Sequence, residues 1–254
     1  MALSEGERER YARQLVLPEF GEEAQVRLRA ASVLVVGAGA LGSAATLYLA
    51  GAGVGRLGVV DDERVEVSNL HRQPLYIASD VGTAKAAAAV ATLSALNPEV
   101  SIEPYPARLE PANAAALVEG QDVVVDCTDR LETRYVVNEA CCAAGVALVE
   151  GGVLGLAGQV LSVRPGRSAC YRCVFPSMSA LGAETSCAEV GILGPVAGVV
   201  GSLQALEAIK LITGLGEPLL DRLLEVDGAG NGFTLVRTSR RDGCPDCGSL
   251  GATL

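Results

Sequence analysis

The sequence predicts an α/β protein with a doubly wound, Rossmann-like and mostly parallel sheet. Strand-like and helix-like segments alternate from residue 33 to residue 152, and this succession is typical of parallel strands joined by right-handed crossovers. Small residues dominate, with 30 Gly among 254 residues and only 4% aromatic residues. This composition favours helices packed closely on a sheet over an aromatic core.

The hydrophobic pattern places the elements in chain order. Helices are predicted over residues 5–16, 22–30, 41–53, 83–98, 112–120 and 131–145, and strands over 33–37, 56–63, 101–109, 122–129 and 147–152. The pattern then changes, because 158–165, 222–230 and 232–238 alternate like antiparallel strands around one long helix over 195–214. We therefore expect an antiparallel C-terminal extension of the sheet.

Composition and charge exclude several classes of partner. The net charge is −10, whereas nucleic acids and anionic membrane surfaces require basic patches. The first residues are charged and contain no apolar segment, and the apolar run Val190–Leu206 is shorter than a membrane span. We expect a cytoplasmic protein that binds neither nucleic acid nor membrane.

The segment VLVVGAGALG joins the first predicted strand to a helix through a G-x-G-x-x-G loop. Gly37 permits a tight turn, Gly39 allows close backbone approach to a phosphate or ribose, and Gly42 allows close packing of helix on strand. The helix N-terminus attracts phosphate, and Asp61, at the end of the second strand, can bind ribose hydroxyls. This loop alone is compatible with NAD, FAD, NADP or ATP.

A polar segment ending in SNLHRQ, residues 68–73, follows Asp61 where a dehydrogenase would normally enter its next helix. Arg72 and Lys85 are cations near the carboxyl edge of the sheet and suit a triphosphate. The alternative is that both are solvated surface charges. We favour the phosphate role because the Ala-rich helix offers Lys85 no nearby acidic partner.

Two carboxylates, Asp126 and Asp129, follow the buried strand DVVVDCTD. Carboxylates at this edge can hold Mg²⁺ together with phosphate oxygens. Asp129 can instead cap the next helix, and the spacing alone does not distinguish the two roles.

Two C-x-x-C pairs, Cys170/Cys173 and Cys244/Cys247, indicate a four-thiolate structural zinc knuckle. Two redox pairs are the rival interpretation, disfavoured because neither pair is predicted at the start of a thioredoxin-like helix. Cys187 lies in a long polar segment, where a functional and an inert role are both open. The remaining cysteines are expected to be packing residues: Cys127, Cys141 and Cys142.

The ordered set of motifs resembles the ubiquitin-activating-enzyme superfamily, specifically the prokaryotic sulfur-carrier adenylyltransferases of the MoeB/ThiF type. The matching segments are RYARQLVLPEFG, VGAGALG, VVDDERVEVSNLHRQ, VGTAK, VVDCTD, EGG, CYRC, TSCAEVGILGP, GSLQALEAIKLITG and CPDC. They cover nearly the whole chain.

The resemblance implies a homodimer that uses ATP and Mg²⁺ to adenylate the C-terminal glycine of a ubiquitin-like sulfur carrier ending in Gly-Gly. Such carriers serve molybdopterin, thiamine and related biosynthesis. The resemblance also implies a single domain over 1–254, with a helical arm at 1–30, a nucleotide-binding half at 31–165 and a carrier-binding half with the knuckle at 166–254.

The resemblance assigns roles to individual residues. Asp129 is implied as the catalytic and Mg²⁺-binding aspartate, Arg13 as an arginine that reaches the partner subunit's phosphates, and Cys187 as a loop cysteine that some members bond to the carrier. Zinc ligands are implied at Cys170, Cys173, Cys244 and Cys247. Nucleotide contacts are expected from Gly39, Ala40, Gly42, Asp61, Ser68, Asn69, Arg72 and Lys85.

The sequence contains a single histidine, His71, which fits this chemistry. A C-terminal carboxylate has a pKa near ~3.5 and is already ionised at pH 7, so it needs no general base. An NAD-dependent oxidoreductase and a non-catalytic carrier-binding adaptor are the alternatives. The first lacks a substrate domain and proton-transfer groups, and the second does not explain the presence of Arg13, Arg72, Lys85 and Asp129 together.

Overall fold

The computed structural model describes residues 2–177 and 190–251. The helices are α1 (Glu5–Arg10), α2 (Ala12–Leu15), α3 (Gly21–Ala30), α4 (Ala40–Ala52), α5 (Lys85–Leu96), α6 (Ala114–Val118), α7 (Leu131–Ala144), α8 (Tyr171–Val174) and α9 (Gly194–Thr213). The strands are β1 (Ser32–Val36), β2 (Arg56–Val60), β3 (Ser101–Tyr105), β4 (Val123–Asp126), β5 (Ala147–Leu154), β6 (Ala157–Val163), β7 (Arg222–Asp227) and β8 (Gly232–Arg237).

One eight-stranded sheet organises the described part of the chain, with strand order β3-β2-β1-β4-β5-β6-β7-β8. Strands β1 to β5 pair in parallel, and β5 to β8 pair antiparallel. The expected doubly wound sheet and its antiparallel extension are confirmed. Strands β2 and β3 are added on one side of β1, and β4 and β5 on the other. The strand order therefore reverses between β1 and β4, and open α/β sheets bind their ligands at such a point.

Helices cover both faces of the sheet and bury two apolar cores. The first core lies under α3, α4, α5 and α9 and includes Leu28, Leu49, Leu93 and Ala205. The second lies under α6, α7 and α8 and includes Val118, Val137 and Tyr171. Because both faces are covered, β1 and β4 are buried along their whole length.

Glycines set how closely helix α4 approaches its neighbours. A Cβ at Gly42 would lie 1.9 Å from the carbonyl oxygen of Gly37, and a Cβ at Gly201 would lie 2.3 Å from that of Leu41. The first contact seats α4 on the glycine loop, as the sequence predicts, and the second packs α9 against α4. Both positions therefore require glycine for steric reasons.

By length and composition alone, helix α9 could cross a membrane. It extends seven residues beyond the apolar run Val190–Leu206, which is shorter than a membrane span. Its most apolar stretch is 56% buried. Gln204 and Glu207 are buried and hydrogen-bonded to neighbouring elements. These contacts are those of a core helix.

The predicted helix over 5–16 is divided at Tyr11 into α1 and α2. The Tyr11 side chain is buried, and its hydroxyl accepts a hydrogen bond of 2.9 Å from Asn97 Nδ2. A tertiary contact 86 residues away thus interrupts a segment that is helical by its local pattern.

Candidate active site

The glycine loop forms the floor of a pocket at the carboxyl edge of the parallel strands. Gly37 adopts φ of 91°, and its N–H donates to the carbonyl of Val60 at 2.8 Å. Helix α4 then begins at Ala40, after Gly39. Gly39 and Ala40 line the pocket, whereas Gly42 does not. Gly42 acts through packing, and its expected contact with nucleotide stays a prediction.

Asp61 stands beside the loop, and backbone groups hold its carboxylate. The N–H of Ala38 donates to Oδ2 at 2.8 Å and that of Glu63 donates to Oδ1 at 2.9 Å. Burial raises the pKa of Asp61, against the opposing effects of Lys85 and the two N–H donors. Asp61 lines the pocket, where its oxygens can accept hydrogen bonds from ribose.

Lys85 begins helix α5 and lines the same pocket. It is only 3% exposed, and its Nζ lies 2.6 Å from Oε2 of the exposed Glu63. The expectation that Lys85 has no acidic partner is therefore wrong, because the partner comes from a segment 22 residues earlier. Even so, a buried ammonium at the pocket wall is placed to meet an anionic ligand.

The segment 68–73 contributes several polar side chains. Asn69 and Arg72 line the pocket, and Ser68 is not among the lining residues. The Arg72 guanidinium donates to the carbonyl of Ser68 at 2.7 Å, and Asn69 Oδ1 accepts from the N–H of Glu66 at 3.1 Å. The expected contact of the Ser68 side chain with nucleotide is not supported, since its hydroxyl instead donates to the Glu66 carboxylate at 3.1 Å.

The two carboxylates after β4 occupy different environments. Asp126 is fully buried, and its Oδ1 accepts from the N–H and hydroxyl of Thr128 at 2.9 and 2.7 Å. Asp129 is exposed and lines the pocket, which Asp126 does not. The expectation that Asp126 can hold Mg²⁺ is thus wrong, because its side chain lies below the pocket wall.

The alternative capping role of Asp129 is also excluded. Helix α7 has Arg130 as its N-cap residue, with no side-chain hydrogen bond at the cap. Within residues 2–177 and 190–251, no hydrogen bond or ion pair involves the Asp129 carboxylate. An unpaired carboxylate in a pocket that is also lined by cations suits a divalent cation that also contacts phosphate.

Further polar residues line the pocket that sequence reasoning left unassigned: Gln73, Arg108, Arg130 and Arg134. Gln73 is 3% exposed, and its Oε1 has no hydrogen-bond partner among the described residues. The sequence signal for a role of Gln73 in the site was its place in the polar segment SNLHRQ. Nothing local in the sequence indicates the position of Arg108 or Arg134.

Arg13 is exposed on α2 and is not among the residues that line the pocket. The described chain therefore does not bring Arg13 to its own nucleotide site. Cys187 lies outside the described residues.

Four cysteines converge where α8 meets the C-terminal segment. The sulfur atoms of Cys170, Cys173, Cys244 and Cys247 all lie within 4.8 Å of one another. The separations are 3.8 Å for Cys170–Cys173, 3.6 Å for Cys170–Cys244 and 3.4 Å for Cys173–Cys247. Four sulfurs at ~2.3 Å from one tetrahedral Zn²⁺ would be about 3.8 Å apart, so the donor set fits this metal.

Hydrogen bonds from neighbouring elements orient the cysteine cluster. Asp246 accepts from Asn138 Nδ2 and from Arg172 Nε, both at 2.7 Å. Cys170 is the N-cap residue of α8, which is only 4 residues long. Convergence of both pairs on one point still favours a metal centre over two separate redox pairs.

The fold and the two sites define a class. One pocket lies at the switch point of the doubly wound sheet. It is lined by a helix N-terminus, by buried and half-buried cations and by an unpaired carboxylate. This is the arrangement of an α/β nucleotide-binding protein. A four-cysteine cluster brings its C-terminal segment to α8.

The family model described as the ThiF family matches residues 11–246, and the chain belongs to this family. A sulfur carrier protein adenylyltransferase of Thermus thermophilus is 47% identical over 253 residues, covering 98% of this chain and 93% of the relative. The adenylyltransferase and sulfurtransferase MOCS3 of Bos taurus is 49% identical over 250 residues, covering 98% of this chain. The chain spans 54% of that bovine relative.

Solved structures share the fold. The crystal structure of E. coli MccB with ATP superposes with a TM-score of 0.85 at 23% identity, covering 96% of this chain and 75% of that chain. PaaA superposes with a TM-score of 0.78, also at 23% identity. These matches agree with the doubly wound sheet and its antiparallel extension.

Proposed function

We propose that this protein is an adenylyltransferase that transfers AMP from ATP to the C-terminal carboxylate of a small sulfur-carrier protein. Membership of the ThiF family and 47% identity to a sulfur carrier protein adenylyltransferase over nearly its full length support this proposal. The carrier is expected to be ubiquitin-like and to end in Gly-Gly, and to serve molybdopterin, thiamine or related sulfur transfer.

One structural observation carries the proposal. The N-terminus of α4, Arg72, Lys85 and the unpaired Asp129 face the same pocket. A hydride-transfer site has no need of this many charged groups, whereas a triphosphate needs cations and a metal ligand. The pocket therefore favours ATP over a nicotinamide dinucleotide.

The proposed reaction is a displacement at the α-phosphorus of ATP. A carboxylate oxygen of the carrier forms the new P–O bond, the bond between the α-phosphorus and the bridging oxygen breaks, and pyrophosphate leaves. Both reactants are anionic, so the protein has to offset charge repulsion more than it has to move protons. Lys85 and Arg72 are placed to hold phosphate, and Asp61 is placed to hold ribose.

Two metals are part of the proposal. Asp129 would hold Mg²⁺ together with phosphate oxygens, and the ion would neutralise charge on the leaving pyrophosphate. The four cysteines would hold a structural Zn²⁺.

A homodimer, a cytoplasmic location without membrane attachment and a single domain over 1–254 also belong to the proposal. In the dimer, Arg13 would contact the partner subunit's phosphates, which is compatible with its exposure on α2. The expected division at 30 and 165 separates the arm and the nucleotide-binding half from the rest. One sheet spans both halves of the described chain, which supports their treatment as a unit.

Exchange of labelled pyrophosphate into ATP tests the function directly. The protein is mixed with ATP, Mg²⁺ and candidate carriers ending in Gly-Gly, and a carrier-dependent exchange is expected. A carrier shortened by its last glycine is the matched control and should give none. Tight NADH binding without exchange for any such carrier would contradict the proposal.

Cys187 should be dispensable for this step, since adenylation precedes any thiol chemistry. Cys187→Ala is expected to keep nearly the full exchange rate, and loss of exchange would place the thiol in the adenylation step itself. Sulfur transfer to the carrier, measured separately, would then report whether Cys187 acts later.

A further inference from the structure

Glu150 is a buried carboxylate to which the proposed reaction gives no role. It lies in β5 with 0% exposure and pairs in register with Asp126 of β4. The two side chains therefore extend from the same face of the sheet, towards α7. Two neighbouring buried carboxylates are costly in a protein core unless a cation compensates them.

Arg134 of α7 supplies that cation and links the sheet to the pocket. Its Nη1 donates to Glu150 Oε1, and its Nη2 donates to the carbonyl of Thr128 at 2.8 Å. A Cβ at Gly152 would lie 2.7 Å from Nη1, so a side chain at position 152 would require the guanidinium to move.

Thr128 is consequently held at both ends. Its carbonyl accepts from Arg134, while its N–H and hydroxyl donate to the buried Asp126. The next residue is Asp129, whose carboxylate makes no contact of its own among the described residues. The backbone from which the Asp129 side chain extends is therefore held through Thr128.

We propose that Glu150 and Arg134 form a positioning pair that holds the Asp129 backbone for divalent-cation binding beside the nucleotide. The inference rests on the proposed function in that Asp129 is taken as the metal ligand. Neither Glu150 nor Arg134 is proposed to take part in bond making. An ion pair that only stabilised the core would not influence metal affinity beyond its effect on folding.

Binding of Mn²⁺, used as the probe, tests the pair without catalysis. Mn²⁺ is titrated in the presence of the non-hydrolysable analogue AMPCPP and followed by electron paramagnetic resonance. Glu150→Ala is expected to weaken Mn²⁺ binding about tenfold, as loss of residues that orient metal ligands typically does. Glu150→Gln, which keeps an acceptor for Arg134, should recover most of the affinity.

Glu207→Ala is the matched control. Glu207 is also buried, pairs with Lys210 at 2.6 Å and accepts from Ser162, but it does not line the pocket. Its replacement should leave Mn²⁺ affinity unchanged at conditions where both variants are folded. Equal loss in Glu207→Ala and Glu150→Ala would overturn the proposal.

Gly152→Ala provides a second route if Glu150→Ala does not fold, because it displaces the guanidinium without removing a charge. A similar loss of Mn²⁺ affinity is expected, and wild-type affinity would overturn the proposal. In an Asp129→Ala background, Glu150→Ala should cause no further loss, since it acts through that residue. A further loss of the same size would overturn it.

The outcome is independent of the catalytic test. Wild-type protein that binds Mn²⁺ and AMPCPP but catalyses no exchange with any Gly-Gly carrier would reject the adenylation proposal while the positioning pair could still be measured.

Discussion

The Asp129 carboxylate is exposed, and it follows Thr128, whose backbone N–H and carbonyl are both hydrogen-bonded. Asp129→Ala is expected to lower pyrophosphate exchange by at least ~100-fold, because one charged group that stabilises a phosphoryl-transfer transition state contributes about that much. The melting temperature should change little, since the side chain makes no contact in the described structure. Exchange kinetics and a thermal melt measure both effects.

Glu132→Ala is the control for that substitution. Glu132 is an exposed carboxylate in the first turn of α7, three residues from Asp129, and does not line the pocket. Its replacement should leave exchange nearly intact. An equal decrease in both variants would indicate a general effect of charge near α7.

Stability should depend on pH through Glu150. Burial and the charge of Asp126 outweigh Arg134 and raise the pKa of Glu150 from 4.5 to about 7. The folded protein therefore keeps a proton that the unfolded chain releases, and this contribution to stability is full below pH 4.5 and is lost as the pH rises through 7.

The melting temperature of wild type is thus expected to fall by several degrees relative to Glu150→Gln between pH 5 and pH 8. Gln carries no proton that titrates in this range, and all other titrating groups are shared, so the difference between the two melting temperatures reports the titration of Glu150. A constant difference between the two proteins across this range would contradict the assignment.

Residue types at the site were predictable from the sequence, but their partners were not. The glycine loop, Asp61 and Asp129 follow from motif and position at strand ends. The Glu63 partner of Lys85 comes from a connection of irregular structure, where no periodicity fixes side-chain direction. Likewise, only the fold shows that Asp126 points into the core and Asp129 into the pocket.

Among the elements, the four-cysteine cluster brings α8 and the C-terminal segment together, and we propose that it holds a structural Zn²⁺. Removal of the metal by a chelator is expected to lower the melting temperature by ~10 °C or more, because structural zinc sites bind with on the order of 10 kcal/mol and each kcal/mol shifts the midpoint by about 2–4 °C. Thermal melts with metal analysis measure this effect.

Re-addition of Zn²⁺ should restore the original melting temperature, and Mg²⁺ should not. An unchanged melt in protein shown to be free of metal would mean that packing alone holds the C-terminal segment.

Element positions were largely predictable because apolar runs and helix stops are local signals. Strands β1 to β5 and helices α4, α5 and α7 fall where the sequence places them. The break at Tyr11 and the short helix α8 were not predictable, since a distant asparagine and the cysteine cluster determine them.

At the scale of the whole molecule, substitution of Arg13 tests whether the nucleotide site is formed by one subunit or shared between two. It is exposed on α2 and absent from the lining of its own pocket. We expect Arg13→Ala and Asp129→Ala homodimers to be inactive, whereas a mixed dimer holds one complete site and should give about half of the wild-type exchange per dimer.

Tandem affinity tags on the two variants isolate the mixed dimer, and a dimer of two Asp129→Ala subunits with the same tags is the control. No recovery in verified mixed dimers would place Arg13 in its own subunit's site or outside the mechanism.

The cysteine cluster also makes the chain between Cys173 and Cys244 a closed loop once a metal is bound. A single peptide-bond cut anywhere in that loop would leave both pieces attached to one ion, and after a cut before β7 both pieces would still contribute strands to the same sheet. Nicked protein should therefore co-migrate as one particle under native conditions and separate only after chelation and denaturation. The metal centre would then keep the nucleotide site assembled after a proteolytic cut that breaks the peptide chain.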